Sequence, residues 1–398
     1  MYLFDDCEVD PQRFELRKAG RPVHVEPQAF ALLTYLVRHR DRVVAKTELL
    51  DKLWRSRYVS ESALTSRVKA VRRAIGDDGQ RQRVIATVHG VGYRFVAPVR
   101  DTDEPPVARV PQQIRYCTAP DGVRVAYAVS GAGPPLMKAA NWLTHLDLEW
   151  TNPIWAHWLD TLARGRTLVR YDERGCGLSD WDIGEFSFEA WVDDLACVAD
   201  AAGLERFSLL GVSQGGAVAI AYAVRHPERV ERLVLAGAYS RGRSARAATP
   251  EEKEEAELDL QLGRIGWRHE DPTFRQVFAS QFLPDADREL WDAFNDLQRQ
   301  STSTENVVKF LDVFSHIDVS ALAPSVRCPT LVLHSRRDLR VPVSQAIELA
   351  TSIPDCQLRL LDSGNHIVTA DEPAWPVFFA ELSGFLDAEA AELRTMEA

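Results

Sequence analysis

The sequence predicts two domains of different class: a small α+β domain followed by a larger α/β domain. Three observations predict this. The chain has 398 residues, more than one domain of roughly 100–200 residues accounts for. Its charge is unevenly spread: residues 1–100 hold 19 Lys and Arg against 12 Asp and Glu, a balance of +7, while the rest hold 28 against 46, a balance of −18. The composition also shifts once, at "VRDTDEPPVARVPQQ" (99–113), which carries three prolines, mixed charge and no apolar period. Such a stretch reads as a semi-extended linker. The expected boundaries are a first domain over 1–99, a linker over 100–114, a second domain over 115–388 and a tail over 389–398.

Bulk properties narrow the class. No stretch approaches the eighteen or so apolar residues of a membrane span. The start, "MYLFDDCEVD", lacks a basic segment leading into an apolar run, so no secretory leader is read there. Six cysteines are scattered without a C-x-x-C pair, which predicts reduced thiols in a cytoplasmic protein and neither disulfides nor a metal site. No G-x-G-x-x-G opens a helix with an acidic residue downstream, so no nucleotide cofactor is expected.

The first domain is read element by element. "FELRKAGRPVHV" (14–25) has a glycine-centred turn between alternating runs, a hairpin. "PQAFALLTYLVRHR" (27–40) begins with a proline at a helix start, and Phe30, Leu33, Leu36 and Val37 keep helical spacing. "KTELLDKLW" (46–54) follows, with Thr47 as the expected N-cap. In "SESALTSRVKAVRRAI" (60–75), Leu64, Val68, Val71 and Ile75 form one stripe, and Thr65, Ser66, Arg67, Lys69, Arg72 and Arg73 lie opposite. "RVIATVHGVGYRFVAPV" (83–99) is two β-type runs around His89-Gly90-Val91-Gly92, a second hairpin. Helix, helix, basic helix, hairpin is the order of a winged helix-turn-helix. A helix exposing hydroxyls and arginines suits the major groove of double-stranded DNA. Arg94 near the hairpin tip reaches toward the neighbouring minor groove or backbone.

"VEPQAFALLTYLVRHRDRVVAKTELLDKLW" and "VHGVGYRFVAPV" resemble the OmpR/PhoB-type winged-helix DNA-binding family over nearly all of residues 1–100. The resemblance implies DNA binding through the third helix and wing, as tandem dimers on direct repeats. Carried over by position, the groove-facing residues are Thr65, Ser66, Arg67, Lys69 and Arg73, with Arg94 in the wing. No receiver domain is read before the module, so phosphorylation of such a domain is not the expected switch.

From residue 115 strands and helices alternate. "VRVAYAVSG" (123–131), "PLMKAA" (135–140), "RTLVRYD" (166–172), "RFSLLGV" (206–212), "ERLVLAGA" (231–238) and "PTLVLHS" (329–335) read as strands, with helical stretches between several of them. This predicts a mostly parallel sheet with helices on both faces. Within it, "GVSQGG" (211–216) places Ser213 between a strand and a helix, where G-x-S-x-G forms a sharp turn that lifts the hydroxyl off the sheet. The Gln214 backbone N–H, at the helix start, then aims at a developing oxyanion.

A serine hydroxyl needs a base, and the base an orienting carboxylate. The chain order Ser, Asp/Glu, His is expected. Asp338 lies three residues past a strand, and His366 is the single histidine C-terminal to it. The usual alternative carboxylate position, 237–250, contains no Asp or Glu. Ser213, Asp338 and His366 are therefore the expected catalytic triad.

Residues 115–388 resemble the α/β-hydrolase superfamily. "YDERGCGLSD" (171–180) is similar to its D-x-R-G-x-G-x-S segment, and "GVSQGGAVAIAYAVRHPERVERLVL" to its nucleophile elbow and following strand. The resemblance implies a second oxyanion donor after the third strand, where many members have His-Gly. This chain has Ala140-Asn141-Trp142 instead, and the backbone N–H of Trp142 becomes the expected donor. Asp172 and Arg174 read as a structural ion pair bracing their loop. From about 240 to 327 the sheet pattern gives way to charged helices and aromatic-bearing ones, a helical cap over the serine. The combined reading is a one-component transcription regulator, homodimeric, whose second domain takes a small, apolar acyl ester or lactone. An esterase with a non-regulatory first domain, and a sensor without turnover, remain as alternatives.

Overall fold

The computed structural model describes residues 2–11, 14–53, 61–101, 111–184, 186–268 and 273–388. The tail over 389–398 and residues 102–110 of the expected linker lie outside them. The chain forms two compact units, Met1–Ala108 and Arg109–Ala398.

In the first unit, strands β1 (Tyr2–Phe4), β2 (Cys7–Asp10), β3 (Glu15–Lys18) and β4 (Arg21–Val23) form an antiparallel meander. Helices α1 (Pro27–Arg38), α2 (Lys46–Leu53) and α3 (Glu61–Ile75) follow, with the short strand β5 (Val44–Ala45) between the first two. Pro27 opens α1, where its missing N–H costs nothing. Thr47 lies inside α2 rather than capping it, because the helix already starts at Lys46. The stripe Leu64, Val68, Val71 and Ile75 is buried against Leu33, Leu36 and Val37 of α1 in one core. The hairpin of β6 (Ile85–Val88) and β7 (Gly92–Phe95) completes a three-stranded sheet, β5-β7-β6. Gly92 is required: a Cβ there would lie 1.9 Å from the Val44 carbonyl oxygen. Strand β8 (Arg100–Asp101) pairs with β1, through Arg100 opposite Leu3 and Asp101 opposite Tyr2. The front of the expected linker is thus an edge strand of the first unit, a two-residue pairing too short to leave an alternating pattern.

The second unit is built on an eight-stranded sheet, β16-β15-β14-β13-β11-β12-β10-β9. Its strands are β9 (Gln113–Thr118), β10 (Arg124–Gly131), β11 (Pro135–Lys138), β12 (Thr167–Tyr171), β13 (Phe207–Val212), β14 (Val230–Ala236), β15 (Thr330–Ser335) and β16 (Cys356–Leu361). Pairing is parallel from β12 to β16 and antiparallel on both sides of β10. Strand β9 begins inside the expected linker; as a half-exposed edge strand it carries no strong apolar alternation. Helices α4 (Ala156–Ala163), α5 (Phe188–Ala201), α6 (Gln214–Arg225), α12 (Val343–Ser352) and α13 (Ala374–Leu386) accompany the sheet. Between β14 and β15 the chain leaves it for α7 (Arg243–Arg246), α8 (Pro250–Arg268), α9 (Thr273–Phe282), α10 (Arg288–Ser301) and α11 (Thr304–His316). The strand order turns around β11, which lies between β12 and β13. Ligands of open α/β sheets bind at such a switch point, beyond the carboxyl ends of the strands.

Candidate functional site

Ser213, Asp338 and His366 follow the carboxyl ends of β13, β15 and β16. Ser213 has φ 52° and ψ −125°, a left-handed conformation that costs a non-glycine residue about 1–3 kcal/mol. The glycines around it make this turn sterically feasible. A Cβ on Gly211 would lie 2.5 Å from the Gly216 Cα, and one on Gly215 2.5 Å from the Ala140 carbonyl oxygen. The Ser213 N–H donates to the Ala236 carbonyl at 2.9 Å. The next residue, Gly237, has φ 58°, and a Cβ there would meet the His366 ring at 3.1 Å. The elbow and the imidazole are therefore neighbours across the end of β14.

His366 Nδ1 and Asp338 Oδ2 are hydrogen-bonded at 2.6 Å, both side chains fully buried. The other carboxylate oxygen, Oδ1, accepts the N–H groups of Arg340 (2.8 Å) and Val341 (2.9 Å). Burial pushes the Asp338 carboxyl up, but the charge and hydrogen bond of His366, with His334 nearby, outweigh it and hold it below its usual range. His334 itself was not singled out in the sequence. It lies four residues before Asp338, its Nε2 bonds the Val341 carbonyl at 2.9 Å, and burial lowers its pKa. His366 Nε2 is buried and makes no hydrogen bond among the described residues, to Ser213 or otherwise. Hydrogen bonds between nucleophile and base commonly tighten only when substrate is bound. The His366 N–H donates to the Phe282 carbonyl at 2.7 Å, and the Phe282 ring stands edge-on to the imidazole.

The two expected oxyanion donors meet differently. Gln214 heads α6, among the N–H groups a helix leaves without an internal acceptor. The Trp142 N–H, by contrast, donates to the Gln214 side-chain oxygen at 3.0 Å. Gln214 Nε2 in turn donates to Glu173 Oε1 at 2.8 Å. Burial, and then Asp194, raise the Glu173 carboxyl well above its usual range, and its second oxygen has no partner among the described residues. Asn141 accepts from the buried Lys138. A buried polar network thus stands behind Ala140-Asn141-Trp142.

Asp172 and Arg174 are not paired with each other, contrary to the sequence expectation. Arg174 is held by Asp194 (2.6 and 2.7 Å) and by Asp121. Asp172 accepts the N–H groups of Leu146 (3.1 Å) and Leu178 (2.8 Å). Each is thus held by its own partners, Asp172 by backbone N–H groups of two loops and Arg174 by two other carboxylates. Burial raises the Asp172 carboxyl from 3.8 to about 7. Its contribution to stability is therefore complete below about pH 4 and is lost as pH rises through about 7. Asp172→Asn removes this titration. Relative to the parent, the variant is expected to gain stability between pH 4 and pH 8, by at most about 4 kcal/mol at 1.36 kcal/mol per unit. Denaturant unfolding of both proteins at the two pH values checks it; a difference independent of pH contradicts it.

A cavity of about 50 Å³ opens onto Ser213 and Gln214. Its cap side is aromatic: the Trp142 ring touches Phe278, Phe314 and Trp267 at centroid distances of 5.5, 5.8 and 5.9 Å. The Trp142 indole N–H donates to Gln298 of α10 at 2.7 Å. The cavity wall also carries Arg243, Arg246, Arg340 and Asp259, none of which the sequence singled out.

In the first unit, Thr65, Ser66, Lys69 and Arg73 lie on the exposed face of α3, and Arg94 is exposed on β7 opposite Ala86. Arg67 is turned toward the start of α1, where it pairs with Glu26 and bonds Gln28 at 3.3 Å. Arg72, placed on the outward face by the sequence, bonds the Ile85 carbonyl (2.7 Å) and Thr87 Oγ1 (2.9 Å) instead.

A strained serine after a central strand, with an imidazole–carboxylate pair after two others, defines the class of an α/β hydrolase scaffold. Residues 150–373 match the family model "alpha/beta hydrolase fold", and the chain belongs to that family. Residues 20–95 match the model "Transcriptional regulatory protein, C terminal", so an OmpR/PhoB-type domain is fused to a hydrolase domain. A 2-hydroxymuconate semialdehyde hydrolase from Pseudomonas sp. (strain CF600) is 30% identical over 287 residues, which are 68% of this chain and 92% of that protein. A pyrrolizixenacetamide deacetylase from Xenorhabdus hominickii is 30% identical over 254 residues, 63% of this chain and 90% of its own. A crystal structure of a hydrolase from Pseudomonas aeruginosa PA01 matches with a TM-score of 0.57 at 24% identity, over 69% of this chain and 98% of that one; it shows the fold alone.

Proposed function

We propose that the protein is a one-component transcription regulator whose hydrolase domain binds and slowly hydrolyses a small acyl ester or lactone. Ser213 attacks the carbonyl carbon, and His366 accepts the hydroxyl proton and returns it to the leaving group. Asp338 holds the imidazole, and the Gln214 and Trp142 N–H groups receive the oxyanion once the Gln214 side chain swings off Trp142. The 2.6 Å hydrogen bond between His366 and Asp338, beside a serine on a strained turn, is the observation that carries the hydrolytic reading. The first domain grips DNA through Thr65, Ser66, Lys69 and Arg73 in the groove and Arg94 in the wing, with Arg67 joining once it leaves Glu26. The same reading has two copies on paired half-sites in the cytoplasm. A sensor without turnover is the second reading, favoured by the hydrogen bond that occupies the Trp142 N–H.

The test is DNA binding by the full chain to duplexes selected from a random pool, at several salt concentrations. Lys69→Ala and Arg73→Ala are each expected to lower the slope of log affinity against log salt by about 1, roughly one phosphate contact each. Unchanged slopes in both overturn the DNA reading. Labelling Ser213 with a fluorophosphonate is expected to shift operator affinity at fixed salt; no shift sinks the regulatory link.

A further inference from the structure

The cavity beside Ser213 holds more positive charge than the fold itself neutralises. Arg243 and Arg246 stand on α7, and Arg340 comes from the loop that also carries Asp338. A single carboxylate, Asp259 of α8, answers them among the residues lining the cavity. It lies 2.7 Å from Arg340 and 3.2 Å from Arg243. Arg340 is further occupied by Gln281 at 3.0 Å and by the faces of Phe278 and Phe282. Arg246 has no carboxylate partner among the described residues. Its Nη1 and Nη2 donate only to the backbone carbonyls of Arg241 (3.2 Å) and Arg340 (3.5 Å). Burial, then Arg243 and Arg340, depress its pKa to about 10, so it stays charged at neutral pH.

A half-buried guanidinium without a counter-ion is only partly compensated by solvent. Its planar fork of donors matches a carboxylate in two parallel hydrogen bonds. The nucleophile opens onto the same cavity, so an anion held at Arg246 belongs to the molecule being attacked. The small volume restricts the acyl chain to a few carbons.

We infer that the ligand is a short acyl compound bearing a free carboxylate, which Arg246 holds while the acyl carbonyl faces Ser213. The inference rests on the hydrolase reading for the second half of that statement only. It amends the apolar ligand expected from the sequence: the pocket is apolar toward Trp142 and Phe314 and cationic toward α7.

The test compares monomethyl succinate with methyl butanoate, esters with acyl chains of equal length that differ in the terminal carboxylate. The wild-type protein is expected to favour the anionic ester in kcat/KM. Arg246→Met is expected to lower that preference about tenfold or more, the scale of one charged hydrogen-bonded pair, and Arg246→Lys to retain part of it. Thermal melting establishes that the variants fold, and Arg246→Lys carries the test if Arg246→Met does not. A preference that neither substitution moves, or a wild-type preference for methyl butanoate, overturns the inference while leaving hydrolysis standing. If neither ester is turned over, calorimetry with succinate decides. Binding that Arg246→Met abolishes keeps the anion site and removes the hydrolase reading; no binding removes the inference.

Discussion

Ser213→Ala is expected to cut ester turnover by roughly 10⁴-fold or more, the loss that follows removal of a triad nucleophile. The residual rate comes from binding and the remaining N–H donors. The substitution also reports on the backbone. Alanine inherits the positive φ of 52°, whereas Ser213→Gly relieves it. The glycine variant is therefore expected to be equally inactive yet more stable than the alanine variant by about 1 kcal/mol. Turnover of the esters above and chemical denaturation read the two effects separately. Retained activity in either variant removes Ser213 from the chemistry.

Asp338→Asn tests the imidazole's orientation more sharply than truncation does. Oδ1 accepts two backbone N–H groups, from Arg340 and Val341. An asparagine must place its carbonyl oxygen there, since its amide nitrogen cannot accept. Its NH₂ then occupies the position of Oδ2 and donates to His366 Nδ1. The histidine is driven into the tautomer that carries its proton on Nε2, the nitrogen needed as the base. The expected loss in kcat is about 10⁴-fold with the fold intact. A variant with near-normal kcat and normal melting contradicts the role given to Asp338.

The sheet, the elbow and the partnership of Asp338 with His366 were legible because each rests on local pattern plus chain order. A strand followed by G-x-S-x-G and a helix is a contiguous signal, and one histidine followed Asp338. Cross-chain pairings were not legible. Asp172 and Arg174 are near in sequence but are held by different partners. Arg67 and Arg72 sit on a helix whose buried stripe was read well, yet long side chains beside that stripe curl back to Glu26 and to β6. Edge strand β8 escaped because two residues are too few to show alternation, and β9 because a half-exposed edge strand leaves little of it. The arginines of the cavity escaped for a further reason. In sequence they are ordinary charges on polar segments, and their excess appears only when α7, α8 and the loop after β15 converge.

The hydrogen bond from the Trp142 indole to Gln298 ties α10 to the loop that carries Ala140-Asn141-Trp142. A guest that displaces the Trp142 ring pulls on this tether and on the backbone whose N–H the proposed mechanism assigns to the oxyanion. Breaking that tether costs only about 0.5–1.5 kcal/mol, so under the proposed mechanism a bulky molecule is expected to bind yet escape hydrolysis. Occupancy and consumption then become separable properties of one chamber, with molecular bulk choosing between them.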